Sequence, residues 1–556
     1  AKGMAEAEAA AGGREVTADD VPERDLKTAA PRPRVLVADT IADDGVKRLR
    51  ERFDVDVVTG QAPADLLARI GDYDALVVRS ETKVGADHIA AAARLRIIGR
   101  AGVGVDNIDV DAASQAGILV VNAPAGNTIA AAEHTIGMLM ALARNIPQSN
   151  RSLIDGDWDR KAFMGFQLRG KTLGVVGLGA IGSEVAKRAQ GLEMEVIAHD
   201  PMVSRERAEM INVQMVELDE LCRKADVITV HVPLVASTKH LFNAQRLAMC
   251  KSGVRLVNVA RGGIYDEDAV LGGLESGKVA GFAADVFEVE PPPNDSRLLN
   301  HPHVVATPHL GASTEEAQVG VAADVVDQII TVLEGGPARW AVNAPTVLPE
   351  DMQALQPFVA LGEKLGSLYA QAGADGVETV ELDFTGELSR HDVSYVTAAV
   401  LRGLLSPYTE DRINVVNARL IAATRGIAVE ERKSSGRGEY ADLLTMTVKG
   451  KGAPFTAAAT VLPQGPRLVR LGDFRIDVQP EGRFLVTYHD DRPGVIGSVG
   501  SALGEANINI AALQLGRDAP RGRAVMIVQV DDEVPDEVRV RLNQIDGMSE
   551  IRYVEL

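Results

Sequence analysis

The sequence predicts an α/β protein: two doubly wound parallel-sheet domains in tandem, then an α+β region, then a small ferredoxin-like unit. Three observations carry that expectation. Short β-branched runs alternate with amphipathic helices from Arg34 to about Ala306, the pattern of a parallel sheet covered by helices. The chain has 556 residues, more than one core organises, and its 46% hydrophobic against 24% charged content is that of a globular protein. Residues 484–556 run strand, helix, strand, strand, helix, strand, which is the βαββαβ order.

Residues 1–31 are rich in Ala, Gly and acids and read as a leader without packed elements. Its acids, among them Glu6, Glu15, Asp19 and Asp25, are unlike a transit peptide, although the segment is consistent with a stretch just past the cleavage point of one. The first α/β series places strands at Val35–Ala38, Ala75–Val78 and Ile97–Ile98 and a helix over Asp44–Phe53. A long apolar helix comes next at Ile129–Arg144. The second series runs from Leu173 through Val196–His199, Val227–Val230, Leu256–Val259, Gly281–Asp285 and Val304–Ala306. Another helix spans Thr314–Leu333, and one of these two helices is expected to return the chain to the first domain. Gly335, Gly336, Pro337 and Ala344-Pro345 then mark a boundary. Residues 345–480 mix helix and strand with no catalytic constellation. The last unit is expected as strand Phe484–His489, helix Val495–Ala506, strands Ile508–Leu515 and Ala524–Val530, helix Asp536–Ile545 and strand Glu550–Leu556.

Fifty-eight basic against seventy-eight acidic side chains leave a net charge of −20, and no long Lys/Arg block tracks phosphates, so nucleic acid is not an expected partner. The same bulk charge repels anionic substrates, so an anion needs locally placed arginines. Cys222 and Cys250 have neither metal-ligand nor disulfide-framework spacing, no metal is expected, and no apolar run is long enough to suggest a membrane span.

Gly177-Leu178-Gly179-Ala180-Ile181-Gly182 follows the apolar strand Thr172–Val176 and opens the helix Ser183–Gln190. A G-x-G-x-x-G with a strand before it, a helix after it and Asp200 at the end of the next strand is the pattern that brings backbone N–H groups to a pyrophosphate and a carboxylate to the ribose. That acid favours NAD over NADP; Arg205, folded over the ribose, is the one feature that favours the reverse. Arg261, Glu290 and His309 stand at or after strand ends, where open parallel sheets place their chemistry. Histidine suits proton transfer near neutral pH, an acid beside it stabilises its protonated form, and arginine's planar fork fits a carboxylate. Taken singly, each also reads as a surface ion-pair member, a solvated acid before Pro291, or a loop histidine, and spacing alone leaves this open.

The wording of three stretches resembles the D-isomer-specific 2-hydroxyacid dehydrogenases: Val257-Asn258-Val259-Ala260-Arg261-Gly262-Gly263, Asp285-Val286-Phe287 with Glu290-Pro291-Pro292, and Thr307 through Thr314 (TPHLGAST). Further support comes from Val78-Arg79-Ser80 with Thr82-Lys83, from Gly99 through Asn107, and from Asn343-Ala344-Pro345. Over 32–556 the chain most resembles the phosphoglycerate-oxidising branch in its long form, with wording nearest bacterial and plant plastid members. The resemblance implies Arg261 on the substrate carboxylate and hydroxyl, His309 as acid/base and Glu290 as its partner. It implies NAD contacts from Thr82, Gly177, Gly179, Ala180, Ile181, Gly182, Asp200, Val232, Val259, Ala260 and Asp285. Val232 stands where several relatives have Thr, which removes one side-chain hydrogen bond to the cofactor. Substrate contacts are expected from Arg79, the backbone of Val103 and Gly104, and Asn107, with Arg144 a weaker candidate for the phosphate of 3-phosphoglycerate.

It also implies a discontinuous substrate domain (32–127 plus 310–343), two Rossmann-like domains in all with the NAD domain at 128–309, an intervening α+β domain at 344–482 and an ACT regulatory domain at 483–556. His489 and Asn509 match positions that bind an amino-acid effector such as L-serine, while Asp491 stands where serine-sensitive members have Asn. A homo-oligomer, dimer or tetramer, is implied by the way such units pair, and the plastid stroma or the cytoplasm is the expected compartment. Two other readings share these motifs: a hydroxypyruvate or glyoxylate reductase, against which the C-terminal 210 or so residues argue, and an NAD-sensing scaffold.

Overall fold

The computed structural model describes residues 31–347, 349–373, 376–410, 412–436 and 438–556. Apart from Pro31, the leader expected over 1–31 lies outside the described residues.

The first sheet has five parallel strands, Arg34–Val37, Asp54–Val57, Ala75–Val78, Ile97–Arg100 and Leu119–Val121, in spatial order 2-1-3-4-5. Val35 to Val37, Ala75 to Val78, Ile97 and Ile98 are wholly buried, as strands covered on both faces must be. Asp54–Val57 escapes sequence reading because it is an exposed edge strand with no apolar run, and Leu119–Val121 because it is three residues long. The helix Glu315–Leu333 is the one that returns: Val321, Val325, Val326, Ile329 and Leu333 enter the core of this sheet. It starts at Glu315 because the Thr314 hydroxyl caps it, accepting the Ala317 N–H at 3.1 Å, with Glu315 and Glu316 at the positive end of the helix dipole.

The second sheet has seven parallel strands, Thr172–Val176, Glu195–His199, Gln214–Met215, Val227–Val230, Val254–Asn258, Val279–Ala284 and Val304–Ala306, in order 3-2-1-4-5-6-7. The order reverses between the first and fourth strands, and at such a switch point the carboxyl ends leave a crevice. The helix Thr128–Arg144 packs on this second sheet and on the glycine-loop helix Ala180–Gly191.

The third sheet runs Thr379–Gly386, Ala428–Ser434, Asp442–Lys449, Phe455–Leu462, Gly465–Leu471 and Phe474–Val478 in order 2-1-3-4-5-6, with helices Pro349–Ala372, Ser394–Leu405 and Ala418–Thr424. Asn414 docks this region on the first domain by donating from Nδ2 to the Gly117 carbonyl at 2.7 Å. The fourth sheet is antiparallel: Arg483–Asp490, Ile510–Arg517, Arg523–Val530 and Met548–Glu555 in order 2-3-1-4, with helices Val495–Glu505 and Asp536–Asn543. Its second strand begins at Ile510 rather than Ile508. Asn507 is left-handed (φ 56°) and the Ile508 N–H caps the Leu503 carbonyl, so both belong to the helix exit.

The sequence divides near residue 483, but the apolar core does not. Phe484, Val486, Val525, Ile527 and Val554 of the last sheet are buried in the same cluster as Leu365, Leu368, Val380 and Leu471 of the preceding region. At about 1.5–3 kcal/mol per buried apolar side chain, stripping those five exposes on the order of 10 kcal/mol of packing, comparable with a whole domain's stability. A chain cut near Gly482 therefore damages what remains.

Candidate active site

The glycine loop is shaped by close approach. Gly177 has φ 92°, and a Cβ there would stand 2.5 Å from the His231 carbonyl; a Cβ on Gly182 would stand 1.9 Å from the Gly177 carbonyl. Among the described residues, nothing beyond its chain neighbours and its own helix lies within 4 Å of a Cβ built on Gly179, the N-terminal cap of the helix that begins with Ala180 and Ile181. Bare backbone at a helix N-terminus with open space before it is a pyrophosphate cradle, so these residues fit a dinucleotide. Asp200 is tied to the loop, its Oδ2 accepting the Leu178 N–H and its Oδ1 the Met202 N–H, both at 2.8 Å. Val232 packs toward Gly177, and Arg205 opens a short helix, Arg205–Glu209, behind its Ser204 cap.

Across the crevice, at the ends of the fifth, sixth and seventh strands of the second sheet, the three candidate catalytic residues assemble. His309 Nδ1 lies 2.8 Å from Glu290 Oε2. That bond raises the imidazole pKa above its ordinary value although burial opposes it. Burial alone would raise the Glu290 carboxyl; the bonds from His309 and from the Phe287 N–H at 3.1 Å outweigh it and hold the carboxyl below its usual range. With the Nδ1 proton committed to a carboxylate, Nε2 is the atom available to take up and return a proton. A cavity of about 370 Å³ borders the pair, walled by Phe287, Pro291, Leu299 and Pro308.

His309 is left-handed (φ 57°), a conformation that costs a non-glycine residue on the order of 1–3 kcal/mol and needs external restraint. Asp285, wholly buried, supplies it: its carbonyl accepts the His309 N–H at 2.9 Å, and its carboxylate accepts the Thr307 hydroxyl (2.6 Å) and the Leu310 and Gly311 N–H groups (2.7 and 2.8 Å). Asn258 does the same for the next loop, its Oδ1 accepting the Ala260 N–H at 3.1 Å and its Nδ2 donating to the Arg261 carbonyl at 2.9 Å. Val259 is buried beneath Gly311.

Arg261 reaches across to the first domain, where its Nε is 3.3 Å from Asp106 Oδ2. Gly104 permits the approach, since a Cβ there would stand 2.1 Å from the Arg261 guanidinium. On that side Asp39 follows the first strand and organises the loop after the third: it accepts the Arg79 N–H at 2.5 Å and the Thr82 hydroxyl at 2.5 Å. Asn107 donates from Nδ2 to the Arg79 and Thr82 carbonyls at 2.7 and 2.6 Å, and its Oδ1 is buried without a partner among the described residues. The Val103 carbonyl accepts from Asn122 at 2.5 Å. Arg144 does not join this group within the chain. It ends its helix beside Gly165, ten residues and about 15 Å of helix beyond His134, whose Nε2 is 3.0 Å from Thr307 Oγ1.

Sequence reading missed Arg100, Asp39, Asn258 and Asp106. Arg100 is mostly buried, its Nε has no partner among the described residues, and its pKa is pushed down to about 10 by burial, then by the nearby charges of Arg261 and Arg79 against the pull of Asp106. Three guanidiniums, Arg79, Arg100 and Arg261, thus share one cleft, which suits an anion with two charged ends. Their common signal is position: Arg100 and Asp39 end or follow strands of the first sheet as the chemistry-bearing residues do in the second.

The candidate effector residues separate. His489 is buried, its Nδ1 lacks a partner among the described residues and its pKa is lowered by burial; Asp491 accepts the Arg521 N–H at 2.9 Å and pairs with Arg517 at 3.3 Å. Asn509 donates to Asp531 at 2.6 Å. The register pairs Asp490 with Arg523 but Ile510 with Val530, so Asn509 lies a strand length, about 20 Å, from the His489 loop.

Comparison with known proteins finds three domain likenesses along the chain. Residues 136–311 match the D-isomer specific 2-hydroxyacid dehydrogenase, NAD binding domain; 354–472 match the D-3-phosphoglycerate dehydrogenase intervening domain; 483–547 match the ACT domain. The chain is 44% identical over 526 residues to D-3-phosphoglycerate dehydrogenase of Archaeoglobus fulgidus, covering 94% of this chain and 100% of that one. It is 40% identical over 544 residues to D-3-phosphoglycerate dehydrogenase 2, chloroplastic, of Arabidopsis thaliana, covering 95% and 87%. Among solved structures the TT0316 protein of Thermus thermophilus superposes with TM-score 0.52 at 35% identity, over 56% of this chain and 99% of that one. With an NAD binding domain, an intervening domain and an ACT domain in that order, and full-length likeness to enzymes of one kind, the chain belongs to the D-3-phosphoglycerate dehydrogenase family.

Proposed function

We propose that the chain oxidises 3-phospho-D-glycerate at C2 to 3-phosphohydroxypyruvate, the first step of serine synthesis by the phosphorylated route. The observation that carries this is the His309–Glu290 pair facing, with Arg261, a cleft whose other wall holds Arg79 and Arg100. When bound, NAD would supply the acceptor for the hydride that leaves C2. Gly177, Gly179, Ala180, Ile181 and Gly182 hold its pyrophosphate, Asp200 its adenosine ribose, and the 82, 232, 259–260 and 285 positions the rest. Arg261 holds the substrate carboxylate and hydroxyl, His309 Nε2 takes the hydroxyl proton, and Glu290 stabilises the imidazolium that results. Arg79 and Arg100 hold the phosphate, with Asn107 and the Val103–Gly104 backbone completing the wall. Substrate thereby displaces Asp106 from Arg261. The test is NADH formation across phosphoglycerate, glycerate, lactate and 2-hydroxyglutarate; turnover on the unphosphorylated acids in preference to phosphoglycerate refutes the assignment.

Asp200→Ala shifts the NADP-to-NAD ratio of kcat/KM upward by roughly tenfold, because it removes a charged acceptor for the ribose and a charge that repels a 2′-phosphate. An unchanged ratio gives the selection to another group. Arg79→Ala costs phosphoglycerate about tenfold more in kcat/KM than it costs glycerate, since a charge-assisted bond to phosphate is lost in one case only. Equal losses remove Arg79 from the phosphate.

Amino-acid regulation belongs to the same proposal. Asn509 and the His489–Asp491 loop are too far apart to share a ligand within one chain, and residues 511–514 leave the edge of the last sheet exposed, so the effector site is one that two copies build. L-serine at that interface inhibits, with coupling of about 1–3 kcal/mol, roughly 5- to 150-fold. Because Asp491 is already paired with Arg517, sensitivity is weak, and the comparison to make is wild type against Asn509→Ala rather than against a truncated chain. Wild-type turnover untouched by millimolar serine contradicts this, as does equal inhibition of Asn509→Ala. The plastid stroma, with the cytoplasm as alternative, is the compartment proposed on the chloroplastic relatives, and a fluorescent fusion of the full-length gene product distinguishes them.

A further inference from the structure

The loop 307–311 owes its shape to one carboxylate. The Thr307 hydroxyl and the Leu310 and Gly311 N–H groups all donate to Asp285, and the His309 N–H donates to the Asp285 carbonyl. Every one of these donors belongs to the loop itself. Among the described residues, the one donor to that carboxylate from elsewhere is His134, on the helix Thr128–Arg144. Its Nε2 is 3.2 Å from Asp285 Oδ1 and 3.0 Å from Thr307 Oγ1. A carboxylate only accepts, and Thr307 has already given its hydrogen to Asp285, so Nε2 must carry a proton and share it between the two oxygens. The loop that presents His309 is thus anchored to a 17-residue helix packed on the second sheet. Asp285 is wholly buried, and a buried carboxylate short of a donor seeks other partners.

We infer that His134 is a positioning residue for the reaction, fixing the 307–311 loop and, through it, the place of His309. The inference rests on the oxidation reading above. His134 lies outside the stretches that carry the family resemblance, and the contact exists because its helix packs against the strands that lead to Asp285 and Thr307.

The test uses the full-length chain with NAD and two variants. His134→Phe keeps a ring but donates nothing, and His134→Gln restores an N–H donor. His134→Phe lowers kcat by about 10- to 100-fold while KM for phosphoglycerate, NAD affinity and Tm stay near wild type, and His134→Gln recovers most of the loss. Amide exchange in the 307–311 loop rises in His134→Phe and returns toward wild type in His134→Gln. Wild-type kcat or unchanged loop exchange in His134→Phe overturns the inference. So do equal losses in both variants accompanied by reduced NAD affinity and Tm, which mark a merely structural residue. A wild-type chain inactive on phosphoglycerate counts against the oxidation reading alone, because the exchange measurement judges the anchor without a substrate.

Discussion

His309→Ala lowers kcat by about 10²- to 10⁴-fold, the range removed with a positioned acid/base, while NAD affinity is retained because the glycine loop and Asp200 are untouched. The expectation comes from the geometry: Nδ1 is committed to Glu290 at 2.8 Å, which leaves Nε2 as the atom that exchanges the proton. The same bond fixes the pH behaviour. Oxidation needs neutral imidazole, so kcat/KM rises as pH rises through the His309 pKa, and Glu290 sets that pKa above its ordinary value. In Glu290→Gln the raising partner is gone and burial, which lowers a histidine pKa, remains. The acid limb therefore moves to lower pH, even as the rate falls for want of imidazolium stabilisation. Near-normal turnover of His309→Ala refutes the role, and an acid limb that stays in place or moves up in Glu290→Gln refutes the pairing.

Arg261→Ala lowers kcat by about 10²- to 10³-fold and also raises KM, because the guanidinium serves both the ground-state carboxylate and the charge that develops at the hydroxyl oxygen. Arg261→Lys recovers little, since an ammonium offers a point charge where a planar fork is needed. The loss exceeds that of Arg79→Ala because Arg261 sits on the reacting half of the cleft: it follows the strand Val254–Asn258, is clamped there by Asn258, and reaches Asp106 across the gap. Steady-state kinetics with phosphoglycerate, beside an NAD titration to show that the cofactor domain is intact, measure both terms. A variant with altered KM and unchanged kcat confines Arg261 to uniform binding.

The glycine loop, the acid after the next strand and the three strand-end residues are all legible in the chain, because local wording fixes them: bare backbone for a phosphate, a strand end for each reactive group. Secondary structure was legible where burial on both faces writes a continuous apolar run, as at Val35–Val37 and Ala75–Val78, and not where an edge strand faces water, as at Asp54–Val57. Proximity between distant segments was not. Arg100 lies in a legible stretch but has no role legible there, and Asp39 and His134 have no wording of their own; each matters because strands of one sheet end at a common edge and a helix crosses another, as where His134 meets Thr307, 173 residues away. The separability of the C-terminal unit also depended on packing, since an apolar sheet face is buried by whatever lies against it, and here that is the neighbouring region's core. Sequence thus determined which residue types stand at each strand end, and tertiary structure decided which of those ends meet and what holds them still, because register and packing are properties of pairs of segments that no single segment encodes.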